Sequence, residues 1–99
     1  MDNYSVFIHQ AVYNDIDEIL VFYFEQSQDI ILVESISNLI FESIESLSYM
    51  PYRYQVSDID NRYRRLPINR YNLAIYYEIV GQCVHIYSVN DTRRNIAEM

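Results

Sequence analysis

Seven arginines and no lysine supply the positive charge of this chain: Arg53, Arg62, Arg64, Arg65, Arg70, Arg93 and Arg94. Four of them crowd into one ten-residue stretch, RYRRLPINRY, residues 62–71. A guanidinium is planar, permanently charged and carries five N–H donors, so it grips phosphate or carboxylate at two points where lysine acts as a looser point charge. Tyr52, Tyr54, Tyr63, Tyr71, Tyr76, Tyr77 and Tyr87 are interleaved with these arginines. Arginine beside an exposed ring is how single-stranded RNA is held, the phosphate by charge and the base by stacking. The same residues also suit plain structure, because tyrosines fit a half-buried sheet face and arginines can pair with carboxylates elsewhere in the chain.

Other chemistries find less support. His9 and His85 are far apart in sequence, Cys83 is the single cysteine, and no His-x-x-x-His or Cys-x-x-Cys spacing occurs, so no metal site is expected. Cys83 as a nucleophile would need a neighbouring base and an electropositive setting; at the start of a strand it reads as a small packed residue. There is no Gly-x-Ser-x-Gly, and one glycine, Gly81, cannot build a glycine-rich phosphate cradle. Glu42 and Glu45 lie three apart on a helical stretch and read as solvated. No cofactor is expected.

Ninety-nine residues make one domain, 1–99, with a single two-layer core. An apolar content of 51%, eleven tyrosines, four phenylalanines and only one glycine with two prolines predict an ordered chain with short loops. No apolar run reaches the roughly 18 residues of a membrane span, and residues 1–4 lack the start of a signal peptide. With the lone cysteine, this predicts a cytoplasmic protein with no membrane partner. Charge is divided along the chain. Residues 1–52 hold nine carboxylates and no basic side chain, whereas residues 53–99 hold all seven arginines against five carboxylates, a net of +2. That asymmetry points to an anionic partner for the basic half.

The elements that must position these residues follow from periodicity. Tyr4–His9 is short, β-branched and aromatic, an opening strand. Asn14 reads as an N-cap, and Ile16, Ile19, Leu20, Tyr23 and Phe24 form a helical stripe, giving a first helix over about residues 14–26. After the polar turn 26–29, Val33, Ile36, Leu39, Ile40, Ile44 and Leu47 form a second stripe that must stop near Pro51. Two helices joined so tightly pack as an antiparallel hairpin. Residues 62–68, 72–79 and 83–89 read as three strands, and Gly81 sits where a type II′ hairpin turn requires glycine. The predicted order is β-α-α-β-β-β, a two-layer α+β fold with an antiparallel sheet on an αα-hairpin, one sheet face buried and the other open. Alternation separates Arg62 and Arg64 from Tyr63 and Arg65, so the four clustered arginines cannot all face one ligand.

With that order in view, the local words resemble the RelE/ParE toxin superfamily of bacterial type II toxin-antitoxin systems. Residues 11–19 (AVYNDIDEI) resemble its opening helix, residues 47–54 (LSYMPYRY) its exit from the second helix, and residues 63–68 (YRRLPI) its second strand. Residues 72–79 (NLAIYYEI) are similar to its third strand, and residues 84–86 with 91–95 (DTRRN) to its close. The resemblance implies a growth-inhibiting toxin bound to a cognate antitoxin as a hetero-oligomer, with DNA gyrase as the target in ParE-like members and ribosome-bound or free mRNA in RelE-like endoribonucleases. For a nuclease it implies catalytic roles for Arg64 or Arg65, for Arg93, and for Tyr76 and Tyr77, leaving Arg53, Arg70 and Arg94 for partner or anion binding. Ala74 stands where RelE-like nucleases carry arginine. That departure, with the net charge of −7, favours the ParE-like activity over mRNA cleavage. A catalytically silent toxin that only captures a partner is the further alternative.

Overall fold

Val12, Ile16 and Ile19 fall on one stripe of a helix and are buried to 6% exposure or less. In the computed structural model, which describes residues 3–92, this stripe belongs to helix α1, Gln10–Ser27. The helix begins four residues before the expected Asn14. His9 stands at its N-cap without a side-chain capping bond, because strand β1 (Ser5–Ile8) runs into the helix with a single residue between and the apolar stripe extends back to Val12. Gln28 ends α1 in a left-handed conformation, its N–H bonded to the Phe24 carbonyl at 2.7 Å. Asp29 then caps α2, Ile30–Glu45, accepting the N–H groups of Ile31 and Leu32 at 3.0 and 3.2 Å. Two of the four donors that a helix start leaves unpaired are thereby satisfied.

From Glu45 the chain descends through two short 3-10 turns, Ser46–Ser48 and Pro51–Arg53, to β2 (Arg64–Ile68). A further turn, Asn69–Tyr71, leads to β3 (Leu73–Val80), and a two-residue connection to β4 (Cys83–Asp91). Gly81 in that connection has φ +59, while Gln82 is not among the residues of positive φ. That excludes a type I′ turn, which needs positive φ twice, and agrees with the expected type II′.

The expected two-layer α+β arrangement is present, with both helices on one face of a four-stranded sheet ordered β1-β4-β3-β2. The sheet is mixed rather than wholly antiparallel. β2, β3 and β4 pair antiparallel, but β1 pairs parallel with β4, Val6 opposite Val84 and Ile8 opposite Ile86. Period-two alternation marks a strand and its two faces and carries no information about a partner far along the chain. The core lies between the layers: Ile36, Ile40 and Ile44 from α2, Leu47, and Leu66, Leu73, Ile75, Tyr77, Val84 and Ile86 from the sheet, all 4% exposed or less.

Candidate functional site on the open face of the sheet

The register sorts the arginines and tyrosines of β2 and β3. Arg64 stands opposite Tyr77, and Arg65 opposite Tyr76. Alternation sends the first pair to the helical side and the second to the open face. Tyr77 is fully buried and donates its hydroxyl to the Pro51 carbonyl at 2.7 Å, and burial pushes its phenol up to about 12. Arg64 donates to the carbonyls of Tyr52 and Tyr54 at 3.3 and 2.6 Å, with its guanidinium 5.0 Å from the Tyr52 ring centre. On the open side, Arg65 Nε donates to the Tyr76 hydroxyl at 3.4 Å.

Residues 55–61 return along the outer edge of β2. The Arg65 N–H bonds the Gln55 carbonyl at 3.1 Å, the Ser57 N–H bonds the Tyr63 carbonyl at 2.7 Å, and Val56 forms a bridge with Arg64. This loop divides the open face into two adjoining cavities that share Ser57, Ile59 and Tyr76. One, of about 400 Å³, is basic and lined by Arg53, Arg65 and Pro67 among others. The other, of about 410 Å³, is aromatic and hydroxyl-bearing, lined by Tyr63, Tyr76, Tyr87, Ser88, Asn90 and Asp60. Together they could receive a charged group beside a flat one.

Tyr87 owes its place to an irregularity. Tyr76 pairs with Ser88 and Tyr77 with Ile86, so Tyr87 is the extra residue of a bulge. Its hydroxyl donates to Glu78 Oε1 at 3.3 Å; burial first, and then the Glu78 carboxylate, raise the phenol above its ordinary range. Its ring meets Tyr63 edge-on at 5.5 Å and stacks on His9 at 4.6 Å.

The two histidines, distant in sequence, meet here, His9 Nε2 lying 3.1 Å from His85 Nδ1. One nitrogen donates and the other accepts. Among the described residues no group of three or more His, Cys, Asp or Glu side chains could hold a metal ion.

The remaining arginines are dispersed. Arg62 bonds Asp60 at 2.7 Å; hydrogen bonds from Arg62 hold that carboxyl below its ordinary range, and the carboxylate in turn raises the guanidinium. Arg53 directs Nη1 at the carbonyls of Ser46, Tyr49 and Met50, closing the end of α2. Arg70 lies over the Tyr71 ring in the β2–β3 turn and lines neither cavity. Ala74 is fully buried, opposite Pro67 on one side and Asn90 on the other. Arg93 and Arg94 lie outside the described residues. Of the expected catalytic set, then, Arg65 and Tyr76 come together and Arg64 and Tyr77 face the other way. Ser88 and Asn90 were not singled out from sequence, although alternation with the buried Val89 would have turned them to the open face. Ser57 carried no signal.

No curated protein matches the chain. Among solved structures, "Chromosomal ParDE TA system from P. aeruginosa" superposes with a TM-score of 0.77 over 92% of this chain and 98% of that one, at 14% identity, a likeness of fold. The family model described as "ParE toxin of type II toxin-antitoxin system, parDE" matches residues 6–96, nearly the whole length. The chain therefore belongs to the ParE toxin family of type II toxin-antitoxin systems.

Proposed function

We propose that this toxin arrests growth by seizing a protein target, DNA gyrase, and not by cutting mRNA. The observation that carries this reading is Ala74, a fully buried methyl between Pro67 and Asn90 at the position where resemblance to RelE-like nucleases calls for arginine. Stabilising a phosphoryl-transfer transition state depends on donors aimed at the developing charge, and one such donor contributes on the order of 3 kcal/mol, about 10² to 10³ in rate. Arg64 adds support, since it stands on the helical side of the sheet with Nη1 on the carbonyls of Tyr52 and Tyr54.

Purified toxin added to gyrase, ATP and supercoiled plasmid is expected to accumulate gyrase-cleaved linear DNA, while primer extension on cellular mRNA after induction shows no new cuts. Codon-phased cuts without cleaved plasmid would overturn the reading. Arg65 and Tyr76, side by side between a basic and an aromatic cavity, favour weak mRNA cleavage as the second reading, and the same primer extension decides between them.

The reading includes a hetero-complex with a cognate antitoxin. Val21, Phe22, Phe24, Ile30 and Ile31 are exposed around the tip of the helical hairpin, in the half of the chain that bears nine carboxylates and no cation. An antitoxin segment that is apolar and basic, and folds on binding, suits that surface.

A further inference from the structure

Between α2 and β2, residues 49–54 (YMPYRY) form a knuckle whose backbone is clamped by side chains. Arg53 donates to the carbonyls of Tyr49 and Met50, Arg64 to those of Tyr52 and Tyr54, and the buried Tyr77 hydroxyl to that of Pro51. Met50 is held at φ 49, ψ 56, a left-handed conformation that a side chain disfavours. On this fixed frame Tyr49, Met50 and Tyr52 stand 61%, 56% and 56% exposed. Tyr4 meets Tyr52 edge-on at 6.3 Å, and with Arg53 these residues line a groove of about 500 Å³.

Exposed tyrosine and methionine around an arginine are the side chains that concentrate at the centres of protein interfaces. A backbone already ordered loses little further freedom when a partner docks. The charge of the patch selects the partner. Among the described residues the one ion pair is Arg62–Asp60, so Arg53 and Arg64 bring two guanidinium charges under the tyrosines with carbonyl dipoles as their partners. The knuckle is therefore locally positive on a chain of net charge −7, opposite in sign to the helical surface that suits the antitoxin.

We infer that the 49–54 knuckle is the surface by which the toxin holds its protein target, and that the target presents an apolar side chain flanked by carboxylates. This rests on the reading that the toxin acts by binding a protein. The test is the gyrase cleavage assay with Met50→Gly, Tyr52→Ala, Tyr49→Glu, Tyr49→Lys and, as a control on α1, Tyr13→Ala. Met50→Gly keeps the left-handed backbone open to glycine, so its melting temperature should equal or exceed that of the wild type. It and Tyr52→Ala should need about tenfold or more protein to yield the same cleaved DNA, with Tyr13→Ala unchanged. Tyr49→Glu should lose more than Tyr49→Lys. Folded Met50→Gly and Tyr52→Ala proteins as potent as the wild type would overturn the knuckle and leave the gyrase reading standing. The reverse order of the two Tyr49 variants would overturn the acidic target. Wild-type toxin that yields no cleaved DNA would overturn both.

Discussion

Asp15 leaves α1 to accept the Val89 N–H at 3.1 Å, on β4 beyond Ile86, the last residue that β1 pairs. Burial raises its carboxyl above the ordinary 3.8, the Val89 N–H opposes that rise, and Glu18 adds to it. A carboxyl raised on folding favours the folded state when protonated. Its contribution is complete below pH 3.8 and is lost as pH rises through the raised value. Asp15→Asn keeps an acceptor and removes the charge, so its melting temperature relative to wild type should be higher at neutral pH than near pH 3.8. A difference independent of pH would refute this. The sequence offers Asp15 only as one acid on a helix, because nothing local announces a strand N–H that needs capping. The arginines repeat the point. Alternation shows that Arg64 and Arg65 must part, but only the pairing of Arg65 with Tyr76 says which one reaches the open face. Arg53 likewise shows its carbonyl partners, those of Ser46, Tyr49 and Met50, only in the fold.

Elements were more legible than residues, and for a physical reason: helical stripes and strand alternation record burial directly. Ile36, Ile40, Ile44 and Leu47 lie on the predicted stripe of α2 and are fully buried. Asn14 lies inside α1 and not at its cap, because the stripe continues through Val12 to a helix that opens without a side-chain cap. The β3–β4 turn was readable because one residue type satisfies it. A Cβ built on Gly81 would meet nothing within 4 Å, so any cost of Gly81→Ala comes from φ +59 alone. We expect Gly81→Ala to destabilise by about 1–2 kcal/mol, and Gly81→Asn by less, since asparagine tolerates positive φ. Denaturant midpoints measure both. Equal losses would point instead to side-chain bulk.

At the scale of the molecule, the sequence leaves open whether the arginines neutralise the acidic half. Among the described residues Arg62–Asp60 is the one ion pair, and it joins neighbours two apart in the second half. Among the described residues no carboxylate of the helices is ion-paired, so like charges repel on a chain of net charge −7. Salt should screen that repulsion, and the melting temperature should rise with sodium chloride; a fall would mean that attractive pairs dominate. The partner of β1 was not legible either, since it lies at the far end of the fold. That parallel pairing also fixes an order of events during synthesis. β1 is made before the other strands, yet β4, its neighbour, is made after them, so β1 has no strand partner until the end of the sheet is made. Until Val84 and Ile86 emerge, the cell holds a toxin whose sheet is still open along one side.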